Sequence, residues 1–292
     1  MSVLKLELYK MFHKKNIKVV ILVSLFVIGI QTYSFYVTQR KAVNQTYEYV
    51  MNVENGVDEK MDFYENSFIE GWIGCETYTP YSTMLYLIMP LLASMPFAMS
   101  QYDEWKNGYA SQIITRCGRK RYMNAKYIAV FFSGGIVIAI PLLVSMVVSM
   151  CYMPMIKIDP LAMQSKITLN DMFGYIYTYY PVGYVLLYTF IDFLYGGILA
   201  CMAMLVSGVA KNWFTAMTFP AVLTYFLYYG VGELSASKVW LRTYNFSYFI
   251  RPDQNGESSL RQMPFLIITL ALLVIEYFIY YIFNIKRETV KR

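Results

Sequence analysis

Asp192 and Glu276 are the two acidic residues that stand inside long, otherwise uncharged apolar stretches, VLLYTFIDFLYGGILA and LIITLALLVIEYFIYY. A charge at the centre of a bilayer costs at least about 2.5–3.5 kcal/mol, so each carboxyl must face protein or water, or carry a proton. Two kinds of chemistry fit: ion or proton coupling along a transport path, or structural pairing with a tyrosine hydroxyl or a backbone group. Neither stretch contains a lysine or arginine to neutralise its acid.

Other chemistry is scarce. There is no G-x-x-x-x-G-K-[ST] loop for nucleotide phosphates, no H-E-x-x-H and no G-x-S-x-G. The single histidine, His13, sits beside Lys14 and Lys15 and reads as an interfacial side chain. The 19 methionines read as adaptable filler. Of the four cysteines, Cys75 and Cys151 fall toward the same outer face and could pair, while Cys117 and Cys201 fall elsewhere. Asn44-Gln45-Thr46 and Asn245-Phe246-Ser247 match the glycosylation acceptor pattern, which matters only on a eukaryotic secretory route. A non-catalytic chain is expected, with no metal site and no cofactor bound by the chain itself. If ATP powers it, another chain binds the nucleotide.

The elements that must position these residues are set by composition. Of 292 residues, 57% are hydrophobic and 15% charged, against roughly 25% charged in a soluble domain. The expectation is an all-α polytopic membrane protein with six transmembrane helices, near 19–37, 81–100, 127–151, 185–210, 213–232 and 263–285. Residues 1–16 read as a basic amphipathic helix in the headgroup layer, ahead of a single six-span domain over 17–292. An outer loop over 39–80 carries eight acidic residues and reads as solvated, with Val43, Tyr47, Val50 and Met51 hinting at a helix that ends near Gly56. Pro90 and Pro96 should kink the second span. Lys211-Asn212 makes a tight hairpin between the fourth and fifth. Gly196, Ala200, Ala203 and Ser207 share one face of the fourth, where small residues let a second helix approach, within the chain or on another copy.

Basic residues set the orientation. The segments with Lys5–Lys18, Lys106–Lys126, Lys211 and Lys286–Arg292 hold sixteen of the 25 Lys and Arg, which places both termini and the 101–126 loop in the cytoplasm. Thirteen of the 19 acids fall outside, and that face would steer cationic solutes modestly.

The cytoplasmic loop, YDEWKNGYASQIITRCGRKRYMNAKY over Tyr102–Tyr127, is the most informative stretch. Tyr102, Trp105, Tyr109 and Ile113 recur at steps of three and four, which makes a short amphipathic helix. Gly118 breaks it, and Arg116, Arg119, Lys120, Arg121 and Lys126 gather the basic charge. Such a loop holds anionic lipid headgroups or docks a cytoplasmic partner.

Glu104, Gly108, Ile113-Ile114, the Arg116–Arg121 cluster and Lys126 together resemble the cytoplasmic loop of type-2 ABC exporter permeases. The Leu6-Glu7-Leu8-Tyr9-Lys10 segment, the Lys211-Asn212 link and the six-span layout are also similar to that family, so the resemblance in layout covers nearly the whole chain. Two positions depart from it: Tyr109 stands where the family often has threonine, and Cys117-Gly118 where it often has proline.

The resemblance implies a permease subunit in the bacterial plasma membrane that pairs with a second copy or a related permease. The pair would be carried on cytoplasmic ATP-binding cassette ATPases that hold ATP and Mg. A coupling helix over Asp103–Thr115, between spans 2 and 3 and rigidly continuous with span 2, would dock on the ATPase through Glu104, Trp105, Gly108, Tyr109, Ile113, Ile114, Arg116 and Arg119. Cargo would be a peptide, drug or lipid-linked compound, exported. Membrane lipids are the other expected partner, and no nucleic acid is. Two rival functions remain open at this stage. One is an ion-gradient-coupled carrier using Asp192 and Glu276, against which the lack of an inverted repeat counts. The other is a membrane sensor with an acidic outer loop.

Overall fold

A computed structural model describes residues 3–54, 67–75, 80–156, 167, 169, 172–208, 212–230, 244–251 and 262–289. Among these there is no strand. Most of the acidic loop between Gly56 and Glu65, Glu76, Lys211, Trp240 and the basic tail from Lys291 lie outside the described residues.

The helices are α1 (Val3–His13), α2 (Lys15–Glu54), α3 (Phe68–Gly71), α4 (Tyr81–Ser94), α5 (Ser100–Lys106), α6 (Tyr109–Cys117), α7 (Arg119–Tyr152), α8 (Gly174–Tyr179), α9 (Pro181–Ser207), α10 (Trp213–Tyr225) and α11 (Gln262–Thr289). A π turn over Phe226–Gly230 extends α10, and a 3₁₀ turn covers Phe246–Tyr248. Four helices are long and apolar enough to cross a membrane: α2 over Lys15–Lys41, α7, α9, and α11 over Met263–Phe283. That is the pattern of a multi-pass helical membrane protein.

The expected second and fifth spans are shorter than read from the sequence. Helix α4 stops at Ser94, and Pro96, which has no N–H to give the carbonyl of Leu92, follows within a run of turns over 95–99. Pro90 stays within it. Helix α10 has 13 residues before the π turn. At 1.5 Å per residue each α-helix reaches only about 20 Å, short of the ~30 Å of hydrocarbon. Both are packed among the long helices and against each other, with Ser94 Oγ donating to Met217 O at 3.1 Å.

The packing centre is the pair α7 and α9. Gly134 and Gly196 meet backbone to backbone: a Cβ on Gly134 would lie 2.4 Å from Gly196 O and 2.5 Å from the Ala200 Cβ. Gly135 and Gly197 make room in the same way for Phe193 and Phe131. The small-residue face of the fourth span is therefore used inside the chain. Around this centre α2 and α11 lend one stripe each. Ile17, Val20, Ser24, Ile28, Gln31 and Phe35 are the buried positions of α2, and Val19, Leu22, Val23, Phe26, Ile30 and Tyr33 on its other faces are exposed, as a lipid-facing helix requires.

The outer loop differs from the solvated segment expected. Helix α2 runs on to Glu54, close to the end hinted near Gly56. Residues 67–75 form a wedge inside the bundle, with Phe68, Ile69, Trp72, Ile73 and Cys75 all at 0% exposure. Its polar groups are met by the helices it enters: Trp72 Nε1 donates to Leu142 O at 3.1 Å, Ile73 N to Ser145 Oγ at 3.1 Å, and Gln31 Nε2 to Gly71 O at 3.2 Å. Five apolar side chains outweigh one acid, Glu70, in deciding where this short segment goes. Cys75 is buried and Cys151 exposed, and the two form no disulfide.

Replacing Gly134 with leucine should lower the melting temperature sharply, because overpacking costs about 1–3 kcal/mol even where side chains can shift and here the obstacle is backbone. Gly29→Leu, where an added Cβ meets no atom within 4 Å, should melt like the wild type in the same detergent.

Candidate functional site

The site is built where α1, α5, α6 and the start of α7 converge at the basic end of the bundle. Four charged side chains from three helices close a ring of alternating sign. Lys126 Nζ on α7 lies 2.9 Å from Glu7 Oε2 on α1 and 2.9 Å from Glu104 Oε1 on α5. Lys10 Nζ on α1 lies 2.9 Å from Glu7 Oε1 and 3.3 Å from Glu104 Oε1. Tyr122 on α7 completes the set by donating its hydroxyl to Glu104 Oε2 at 2.6 Å. The Glu7 and Lys126 side chains are fully buried, and Lys126 also lies 4.5 Å from the Phe97 ring centre.

Helical spacing explains the ring. Glu7 and Lys10 are three residues apart and share a face of α1, and Tyr122 and Lys126 are four apart on α7. The ring is electrically neutral, which is what allows two carboxylates and two ammonium groups to leave water together. Burial works against the Glu104 carboxylate, but Lys126, the Tyr122 hydrogen bond and Lys10 outweigh it and hold Glu104 below the ordinary carboxylate range. Burial likewise opposes the charge on Lys10, and the Glu7 hydrogen bond with the Glu104 and Glu7 carboxylates holds it above the usual lysine value. Lys14 has Asp103 for company, yet burial pulls it below that value.

The helix expected over Asp103–Thr115 is two helices. Gly108 adopts φ +71°, a left-handed conformation that ends α5 and starts α6 in a new direction. Gly118, at φ +80° and ψ 142°, separates α6 from α7 in the same way. The unit is therefore jointed, and turns at 95–99 separate it from α4.

The eight expected docking residues divide into two sets. Glu104 belongs to the ring. Trp105, Ile113 and Ile114 are half-buried against the chain's own core, and the Arg119 guanidinium lies 5.8 Å from the Trp105 ring centre. Gly108, Tyr109 and Arg116 are exposed, together with Ser111, Gln112 and Thr115. The Tyr109 ring lies under Lys10 Nζ at 4.4 Å. The outward face of α6 is thus polar with one aromatic, held from behind by two isoleucines.

Neither intramembrane acid joins the ring of ion pairs. Asp192 on α9 is at 0% exposure; Tyr86 on α4 donates to its Oδ2 at 3.4 Å, and Oδ1 has no hydrogen-bond partner. Glu276 on α11 is 4% exposed, and neither of its oxygens has one. On its other side Tyr86 lines a pocket with Thr83, Thr224, Tyr225, Tyr228 and Arg251, where Arg251 donates to Tyr228 Oη and Thr83 Oγ1, each at 3.2 Å. Among the described residues no three His, Cys, Asp or Glu side chains gather as metal ligands.

No protein-family model, curated protein or solved structure matches this chain. Function must therefore be read from the geometry.

Sequence reasoning passed over Glu7, Lys10 and Tyr122 as site residues and took Lys126 only as part of a basic cluster. The signal was available for Glu7, the only acid among the first 47 residues and one set in a basic helix. Lys126→Met should leave two carboxylates buried with one ammonium and cost about 3–5 kcal/mol, the usual loss when one partner of a buried pair is removed. The pH dependence follows from the two shifts. Glu104 stabilises above the ordinary carboxylate value of 4.5 and loses that contribution as pH falls through its lowered folded value. Lys10 stabilises below 10.5 and loses its contribution as pH rises through its raised one. Thermal melts should show a plateau between those limits and a fall on both sides, and Lys126→Met should lower the plateau.

Proposed function

We propose that this chain is the membrane-spanning subunit of an ATP-driven exporter, docking a separate ATPase through the outward face of α6. The supporting observation is the ring of ion pairs. It fastens a small jointed amphipathic unit both to an N-terminal helix and to the start of the long helix α7. Such an attachment has a mechanical use. Force applied to α6 passes through α5 and Glu104 into Lys126 and along α7, which packs on α9 through bare glycine backbone and cannot slip without moving it. Nucleotide-driven closure of two ATPases would supply that force, and discrete rigid-body shifts of helices would carry it to the path. In this reading all six apolar segments lie in the bilayer, the shorter α4 and α10 included. Both chain termini face the cytoplasm, and a second permease chain completes the path.

The exposed residues, not the half-buried ones, are where the reading is tested. Charging Trp105 or Ile113 would disturb the chain's own packing, so Gln112→Glu and Arg116→Glu are the informative changes. The wild-type chain, purified in mild detergent, should bring with it a cytoplasmic protein carrying the G-x-x-x-x-G-K-[ST] loop, in a near-stoichiometric amount on mass spectrometry. The double variant should lose that protein while keeping the wild-type melting temperature. Recovery of the chain alone across several detergents would overturn the reading.

The buried carboxyls favour a second reading, a carrier driven by an ion gradient. There Asp192→Asn should abolish transport with no ATPase required.

A further inference from the structure

The most weakly packed long helix carries the least satisfied acid. Along α11 the covered positions are Phe265, Thr269, Glu276 and Tyr280, with Leu272 half-covered between them, one stripe at steps of three and four. Glu276 thus occupies a core position. Leu270, Val274, Ile275 and Phe278 on its other faces are exposed.

Two polar groups from two other helices lie near Glu276. Both its oxygens are buried without a hydrogen-bond partner. Tyr127 and the Cys201 thiol on α9 lie within its electrostatic reach, and Cys201 Sγ is 3.8 Å from Tyr127 O. The nearest lysine in sequence to Tyr127 is Lys126, which is held by Glu7 and Glu104. An ionised carboxylate placed so, with no cation and no donor bonded to it, would bear its full desolvation cost. Two carboxylate oxygens, a phenol and a thiol also fall short of the six or more oxygens that a hard cation requires.

We propose that Glu276, with Tyr127 and Cys201, forms a proton-binding site, in which the carboxyl is carried as the neutral acid and exchanges its proton at the basic end of the bundle. The O–H bond breaks when α11 shifts: the proton passes to a water molecule and the carboxylate keeps the electron pair. Three tyrosines join this site to residues of that end. Tyr127 makes ring contacts with Tyr277 and Tyr280, both at 5.4 Å. The Tyr280 hydroxyl bonds Gln101 Oε1 at 3.4 Å, and that of Tyr277, on the exposed face, bonds Asn124 Oδ1 at 3.2 Å. Asp192 is the structural acid of the two. It accepts from Tyr86 and stands on a helix flanked by α4, α7 and α10, where opening would disrupt the glycine contact.

This assignment deepens the gradient-driven reading and rests on it only for what the proton is used for. The test reads the proton site directly. The full chain in lipid vesicles is treated with dicyclohexylcarbodiimide, an apolar reagent that adds to protonated carboxyl groups, and the adduct is located by peptide mass spectrometry over a pH series. Glu276 should carry the label. Labelling should fall by about tenfold per pH unit once the acid begins to ionise, and Glu276→Gln should abolish it at that peptide, with Asp192 labelled at least several-fold less. No label at Glu276, equal label at every pH, equal label at Asp192, or protection by sodium but not choline chloride would each overturn the proposal. Clear labelling of Glu276 in a chain whose transport ignores a proton gradient would keep the site and remove the carrier reading.

Discussion

Everything at the basic end depends on charge neutrality in a largely buried space. Glu7, Lys10, Glu104 and Lys126 come from three helices, and each cation contacts both anions. Taken singly, each would be expensive to bury; taken as a closed ring, each supplies the other's missing solvent. A ring of this kind gives specificity of position. Moving α1, α5 or α7 independently breaks two ion pairs at once, so the three elements behave as one body, while Gly108 and Gly118 set the direction in which α6 leaves it.

The second constraint is the contact of α7 with α9. In hydrocarbon there is little hydrophobic drive between helices, so close packing has to hold the bundle together. Bare backbone at Gly134 and Gly196 permits it, and the Phe131–Phe193 ring contact at 6.0 Å flanks it. The long helices at the edge, α2 and α11, have only one covered stripe each. The molecule therefore grades from a rigid centre to a looser rim, and its unsatisfied acid, Glu276, sits toward the rim.

Much of this was legible in the sequence because hydropathy and helical period are local signals. The four long spans, the amphipathic start, the break at Gly118 and the small-residue face all follow from spacing over a few turns. What could not be read depends on pairs of residues far apart in the chain. Nothing local in Glu7 points to Lys126. The wedge at 67–75 reads as part of an acidic loop because its neighbours are acidic, although its own residues are mostly apolar. The joint at Gly108 was hidden by periodicity that continues through it, since Tyr109 and Ile113 keep the step of Trp105 while the backbone turns. Pro96 was legible in itself, but as a kink; its effect was to end the helix and shorten a span.

The wedge also constrains the order in which the chain can be made. Trp72 bonds a carbonyl 70 residues further along, at Leu142, and Ile73 bonds the Ser145 side chain. At 5–20 residues per second the ribosome needs roughly 4–14 s to reach those partners. For that interval the segment has left the ribosome with its binding slot not yet synthesised, and Gln31, already placed on α2, lacks only the segment itself. The first helix and the wedge must therefore wait outside the finished core, in the care of the insertion machinery or the headgroup layer, until α7 arrives. The slot for Trp72 is thus made only after the tryptophan itself, and docking of the wedge follows the synthesis of α7.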